Sequence, residues 1–301
     1  MTWTLVTPLP MVWWNTSLSP PVNDLDTTQE DREFVACQIR DMRRDLGIAL
    51  FGLGEVCTDD LDVIQHYLAD PTLNVIDPTD RTIRAKRDTA LIYDTTKLSL
   101  LDEVYITDRF GPTTLKTAHR ATFRALTGQQ VNVFCSHWPS RARVGETDPR
   151  RPQLGHSLRT AVTAQGPNNY HILMGDYNDD PCSPSLAYHL LATRDRTMAR
   201  DRKFLYNPFW RQLGEAYDHC NPLPPESTCG SYFYRGGLYT QWHTFDQIIF
   251  SSAFLRDDAI VLDEQHSRII VTDELKDRIE DRTQRFDHFP VLSSVSLRSQ
   301  T

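Results

Sequence analysis

Residues 171–184, H-I-L-M-G-D-Y-N-D-D-P-C-S-P, constrain the chain more than any other stretch. Ile172, Leu173 and Met174 form a short apolar run that stops at Gly175, and Asp176, Asn178, Asp179 and Asp180 follow at once. A buried strand ending in an acidic loop satisfies this pattern. Open α/β sheets place ligands just beyond the carboxyl ends of their strands. A carboxylate and an amide on a tight glycine turn there are well placed for chemistry on a phosphate or a metal. Asp176 and Asn178 lie two apart, which in an extended segment turns both side chains to one side. An Asp/Asn-rich turn that merely closes a strand looks the same in isolation, because these residues hydrogen-bond their own backbone. The rest of the chain decides between the two.

Other apolar runs also end on polar groups. Val12, Trp13 and Trp14 predict a short strand ending at Asn15, and residues 48–53 predict a buried strand running into Gly54 and Glu55. A carboxylate directly after such a run is costly unless it is exposed, paired or bound to a cation. Val131, Val133 and Phe134 lead into Ser136, His137, Trp138, Pro139 and Ser140, and a strand over 244–251 carries Asp246. Phe286, Asp287, His288, Phe289 and Pro290 open an alternating last strand over 291–297.

Helical spacing of Val35, Ile39, Met42 and Leu46 predicts a helix from Thr27, capped by Asp26 or Thr27 and closed by Gly47. Leu61, Ile64 and Leu68 mark a shorter one. A helix over 152–165 returns the chain to the central strand as a β-α-β unit, and Leu186, Leu190 and Leu191 predict another after Pro184. Residues 88–104 alternate like a β-hairpin turning near 94–97, and 231–235 reads as a strand. Arg194, Arg196, Arg200 and Arg202 can share one helix face, which ordinary solvation explains.

At 301 residues with 40% hydrophobic content, the chain can bury a large core, and one domain over 1–301 is expected. A net charge of -8 argues against binding nucleic acid through bulk positive charge, although a local basic face remains open. Only five of the 32 basic residues are lysine, and arginine suits bidentate contacts to phosphate or carboxylate. Cys37, Cys57, Cys135, Cys182, Cys220 and Cys229 show no C-x-x-C spacing and are read as reduced thiols. No stretch approaches the length of an apolar membrane span, so a cytoplasmic protein without a membrane partner is expected.

Taken in order, Asn15, Glu55, His137, Asp176 with Asn178, Asp246, and Asp287 with His288 sit nearly all at strand ends. In that order and local context the chain resembles the endonuclease/exonuclease/phosphatase superfamily with the DNase I-like fold. Three motifs are specific: Trp14-Asn15, Gly175-Asp176-Tyr177-Asn178, and Asp287-His288-Phe289-Pro290. His137-Trp138-Pro139-Ser140 and the segment 230–251 look most like compact bacterial members.

The resemblance implies an α/β four-layer sandwich, two packed mixed β-sheets flanked by helices, with the site at one end of the sheets. It implies Glu55 as main ligand of Mg²⁺ or Mn²⁺, Asn15 beside it, and Asp287 near a second metal position or an ordered water. Hard oxygen ligands suit such a cation. By the same resemblance Asp176 orients or deprotonates the attacking water, and Asn178 helps hold it. His288, paired with Asp246, meets the scissile phosphate, and His137 adds a hydrogen bond there. One departure is Ser136, where relatives carry Asn or Thr.

These features point to a metal-dependent phosphodiesterase acting on nucleic acid, DNA foremost, with Arg141, Arg143, Arg150 and Arg151 as backbone-contacting residues. A small-molecule, inositol-phosphate or lipid phosphoesterase is the alternative, and the acidic net charge tolerates it better. An inactive scaffold is disfavoured because no position of the constellation is missing. The sequence carries no signal for oligomeric state.

Overall fold

The computed structural model describes residues 3–19, 26–80, 87–166, 168–214, 228–256 and 258–300. In chain order, β1 (Trp3–Asn15) leads to α1 (Gln29–Leu46), β2 (Leu50–Gly54), α2 (Thr58–Leu68), β3 (Leu73–Ile76) and β4 (Thr89–Asp94). Next come β5 (Leu98–Phe110), β6 (Thr113–Ala125), β7 (Gln130–His137), α3 (Arg150–Ala164) and β8 (Tyr170–Asp176). The short β9 (Ala192–Thr193), β10 (Leu205–Tyr206), β11 (Tyr232–Phe233) and β12 (Trp242–His243) precede β13 (Asp246–Ser251), β14 (Ile260–Ile269), α4 (Asp273–Glu280) and β15 (Val291–Gln300).

Two mixed sheets result, one ordered β14-β15-β1-β2-β4-β3 and the other β5-β6-β7-β8-β13-β10-β9, with β11 and β12 as a separate hairpin. Their inner faces share one apolar core, in which Trp13, Phe51 and Leu53 of the first sheet join Phe123, Met174 and Ile248 of the second. Each such side chain contributes roughly 1.5–3 kcal/mol by leaving water. The sheets approach so closely at Gly52 that a Cβ there would lie 2.5 Å from Met174 Sδ and 2.9 Å from Trp13 Cε3. Outside, α1 covers the first sheet through Val35 and Ile39, while α3 packs Leu154 and Leu158 on Phe134, Leu173 and Ile249 of the second. This is the four-layer α/β sandwich expected.

Local chemistry explains most boundaries. Helix α1 starts two residues later than expected: Thr28 is the cap, locked with Asp31 in a capping box, and Gly47 ends the helix at φ 63. Strand β1 is far longer than its apolar triplet, because Pro8 and Pro10 disguise it. Both precede Met11, where pairing with β2 begins, so that side of the strand needs no N–H from them.

Three expectations fail. Residues 88–104 are not a hairpin: β4 pairs with β2 and β3 in one sheet, whereas β5 pairs with β6 in the other. The turn at 94–97 exists, with Lys97 N donating to Asp94 O at 3.1 Å, but it carries the chain from one sheet to the other. Alternation sets which face is buried and leaves the partner open. After Pro184 only a single π turn forms (Ser185–His189), and Leu191 turns left-handed at φ 61. The arginines at 194–202 share no helix face; a 3-10 turn (Met198–Arg200) is all that forms there.

Candidate active site

Strand register brings the polar ends together. Across adjacent β7, β8 and β13, His137 lies opposite Asp176 and Asp176 opposite Asp246. On the facing sheet Asn15 lies opposite Gly54, which places Glu55 next to it. The two rows are joined by Asn15 Nδ2, which donates to Asp176 Oδ2 at 3.1 Å, and by Trp13 Nε1, which donates to Asp246 Oδ1 at 2.9 Å. Asp287 and His288 enter just before β15, where Trp14 Nε1 donates to His288 O at 3.1 Å.

The turns that end these strands are conformationally costly. Ser17, Glu55 and Asn178 hold φ of 55°, 54° and 51°, a region that side chains other than glycine enter rarely. Each is held by its surroundings: Glu55 O accepts from Ser19 N and Thr16 Oγ1, and Asn178 Nδ2 donates to Trp138 O and Asp176 Oδ2. Gly175 is required because a Cβ would lie 2.3 Å from Ser136 O.

Asp176 is buried and accepts three hydrogen bonds from two residues, the N–H and the amide of Asn178 and the amide of Asn15. Burial pushes its pKa up, although His288 and His137 oppose this. His288 Nε2 and His137 Nε2 stop 3.8 and 3.9 Å from Asp176 Oδ2, beyond hydrogen-bond range, and so keep their donors free. Each imidazole is held from behind. His288 Nδ1 lies 2.7 Å from Asp246 Oδ2, and His137 Nδ1 lies 3.0 Å from Asp88 Oδ2. Burial alone would lower both pKa values. For His137, Asp88 and then Glu55 raise it to about 9, and for His288, Asp246, Asp287 and Asp176 carry it well above the ordinary value.

Asp88 was not among the residues singled out in the sequence. It sits directly before the buried run of β4, the same signal that draws attention to Glu55, and also pairs with Lys116 Nζ at 2.9 Å. Burial opposes its charge, but His137 and Lys116 together hold its carboxyl well below the usual range.

Glu55 is the group a cation fits. Its carboxylate accepts no hydrogen bond among the described residues and has only His137 Nε2 at 3.6 Å. Burial, with Asp287 and Asp88 adding to it against His137, pushes its pKa up to about 7. Asn15 Oδ1 accepts only Ser17 N, and Asp287 Oδ1 accepts Ser17 Oγ at 2.9 Å, so both retain oxygen lone pairs on the same side. Asp176, Asp246 and His288, whose ligand atoms lie within 4.8 Å of one another, are a different set. Asp246 is already saturated by Trp13, Ser231 and His288, so it serves as the partner of an imidazole.

The arginine loop departs from expectation. Arg151 is buried, donates to Val144 O and Pro139 O, and lies 3.6 Å from Asp179, so it ties down the loop and cannot grip a substrate. Arg150 is bound to Asp148, and Arg141 donates to Asn178 O and Asp180 Oδ2. Arg143 alone is exposed without a charged partner among the described residues. Among the described residues Cys37, Cys57, Cys135, Cys182 and Cys229 form no disulfide with one another, and Cys220 lies outside the described residues. No described helix is long and apolar enough to cross a membrane.

A sequence profile of the Endonuclease/Exonuclease/phosphatase family matches residues 29–292. The chain belongs to this family. Members of the endonuclease/exonuclease/phosphatase family are phosphoester hydrolases, and the chain is a phosphoesterase in that sense. No curated protein matches it. Solved structures share its fold along nearly the whole length. The human Nocturnin catalytic domain with bound sulfate is 17% identical over 96% of this chain and 93% of its own, at TM-score 0.61. D. rerio TDP2 complexed with single strand DNA product is 15% identical over 96% and 99%, at 0.60. The Bacteroides thetaiotaomicron mannosyl-6-phosphatase is 15% identical over 95% and 99%, at 0.57. At these identities the likeness is one of fold.

Proposed function

We propose that this family member is a divalent-cation-dependent phosphodiesterase that hydrolyses nucleic acid, DNA foremost. The observation carrying the proposal is the convergence of Glu55, Asn15, Asp287 and His288 from one sheet with His137, Asp176 and Asp246 from the other, with Asn15 bonded to Asp176 and His288 to Asp246 across the interface. A bound Mg²⁺ or Mn²⁺ would be held by Glu55 with Asn15 and Asp287 beside it, and would neutralise charge growing on the phosphate oxygens.

The chain's own groups do the rest. Asp176, oriented by Asn15 and Asn178, holds a water for attack and takes its proton, which its raised pKa favours. His288 and His137, each cationic because an acid stands behind it, donate through Nε2 to phosphate oxygens. That DNA is the substrate draws support from the DNA product named with the TDP2 structure.

A second reading, hydrolysis of a small phosphoester, is favoured by one observation: three of the four loop arginines are engaged within the protein, under a net charge of -8. Turnover of plasmid DNA, single strands, RNA, sugar phosphates and bis-p-nitrophenyl phosphate, in EDTA and in Mg²⁺ or Mn²⁺, decides between them. Metal-dependent DNA cleavage is expected. Turnover of sugar phosphates with DNA untouched overturns the first reading. If DNA is bound, Arg143→Ala should lower the salt slope by about one phosphate contact at most.

A further inference from the structure

We propose that Tyr232 is a further catalytic residue, whose phenolic hydroxyl donates a hydrogen bond to a non-bridging oxygen of the scissile phosphate. This rests on the phosphoesterase reading above and adds a donor to it.

The main chain fixes Tyr232 to the site. Tyr232 and His288 face each other in an isolated bridge, flanked by Phe233 N donating to Asp287 O at 2.8 Å and Phe289 N donating to Ser231 O at 2.7 Å. The residue before it, Ser231, donates through its hydroxyl to Asp246 at 2.8 Å, so β11 is stapled to both members of the Asp246–His288 pair. The ring is fixed too. Its centroid lies 4.6 Å from that of His288, and its other close neighbour is Phe245, stacked at 5.0 Å and 19°. Phe245 is itself covered by the Arg141 guanidinium, 4.6 Å from the ring centroid. Rotating the phenol away would break contacts on both sides of the site.

What this clamped ring presents is a donor without an acceptor. The ring is half-buried among aromatic side chains, and among the described residues the Tyr232 hydroxyl makes no hydrogen bond. Burial, then the charges of Asp287 and Asp176, and further off Glu55, hold its pKa far above the ordinary tyrosine value. A phenol is protonated at neutral pH even at its ordinary pKa of about 10, so the hydroxyl acts as a neutral donor. A phosphate seated between Glu55, His137 and His288 offers more oxygens than the two Nε2 donors satisfy. A phenol beside His288 supplies the next. Such a donor needs no reorganisation when charge develops, which is where preorganised hydrogen bonds are worth most.

The test compares wild type, Tyr232→Phe and Tyr234→Phe on bis-p-nitrophenyl phosphate in saturating Mg²⁺, with the melting temperature of each. Tyr232→Phe keeps the ring and its stacking. It should lose ~100-fold in kcat, with KM and melting temperature little changed, as for the removal of one transition-state donor. Tyr234→Phe, its neighbour on the same strand face at 6.5 Å, should match wild type. A difluorotyrosine at 232, compared with wild type at pH 6 so that the more acidic phenol keeps its proton, retains both hydroxyl and shape, so it should retain activity whether or not Tyr232→Phe folds well. A fluorinated protein as slow as Tyr232→Phe, or a Tyr232→Phe as fast as wild type, overturns the proposal while the phosphoesterase reading stands. A wild type inert toward every phosphoester overturns both.

Discussion

Asp246→Asn isolates the charge behind His288 while nearly preserving shape. The carboxylate accepts from Trp13 Nε1 at 2.9 Å, Ser231 Oγ at 2.8 Å and His288 Nδ1 at 2.7 Å. An asparagine has one acceptor oxygen and one amino group, so if the oxygen stays with His288 and Ser231, the amino group meets the indole N–H of Trp13. That buried donor then goes unsatisfied, costing about 1–3 kcal/mol of stability. Toward His288 a charge-assisted bond becomes a neutral one, a loss of about 1–2 kcal/mol. If that difference appears in the transition state, kcat falls about 5- to 30-fold. His288→Ala, which removes the donor itself, should cost more, roughly 10²-fold or above. Because Asp246 acts through the imidazole, the double variant should be no slower than His288→Ala alone. The assay is kcat on bis-p-nitrophenyl phosphate in saturating Mg²⁺, with denaturant melts of all four proteins. Losses that multiply in the double variant, or an Asp246→Asn with wild-type kcat, refute the pairing.

Glu55→Gln should weaken Mg²⁺ binding, measured by calorimetry, by more than the ~10- to 100-fold typical of outer-shell partners; unchanged affinity removes Glu55 as ligand. Since burial lifts the Glu55 pKa to about 7, a proton competes with the cation below that pH, and affinity should rise from pH 6 to pH 8. In the cation-free protein the sign is opposite for stability: between the ordinary 4.5 and about 7 the folded state binds more protons than the unfolded one, so stability falls as pH rises. A flat affinity across that window counts against it. Arg151→Ala takes one of two guanidiniums from the buried Asp179 carboxylate, which keeps Arg141 Nη2 at 3.6 Å and the Ser185 hydroxyl, and leaves the carbonyls of Val144 and Pro139 without this donor, so urea unfolding should show a loss of ~2–3 kcal/mol; a loss below ~1 kcal/mol would mean that Arg151 holds little.

The residues that face one another at the site were largely visible beforehand, because each follows or precedes a run too apolar to be anything but a buried strand. Glu55 after residues 48–53 and Asp176 after residues 172–175 are the clearest cases. What could not be read was which partner each polar group takes. Asp88 and His137 lie 49 residues apart and meet because β4 and β7 are in facing sheets, a relation that no local pattern encodes. The same limit produced the false hairpin, since β4 and β5 alternate convincingly but diverge at residues 94–97. Arginine was misread for another reason. Its charge implies an exposed, phosphate-seeking group, yet the planar fork of Arg151 suits main-chain carbonyls equally well.

The close approach at Gly52 makes the two sheets a single functional unit. On the proposed mechanism neither carries a working set of groups: one brings the carboxylates and amide suited to a cation, the other the acid that would hold the water and an imidazole's counter-charge. Turnover is thus a gauge of docking. Any partly unfolded form in which the sheets survive but separate would keep its secondary structure and lose all chemistry, so circular dichroism and hydrolysis should part company there. Enzyme activity in this chain should vanish at the first loosening of the interface, well before the strands themselves melt.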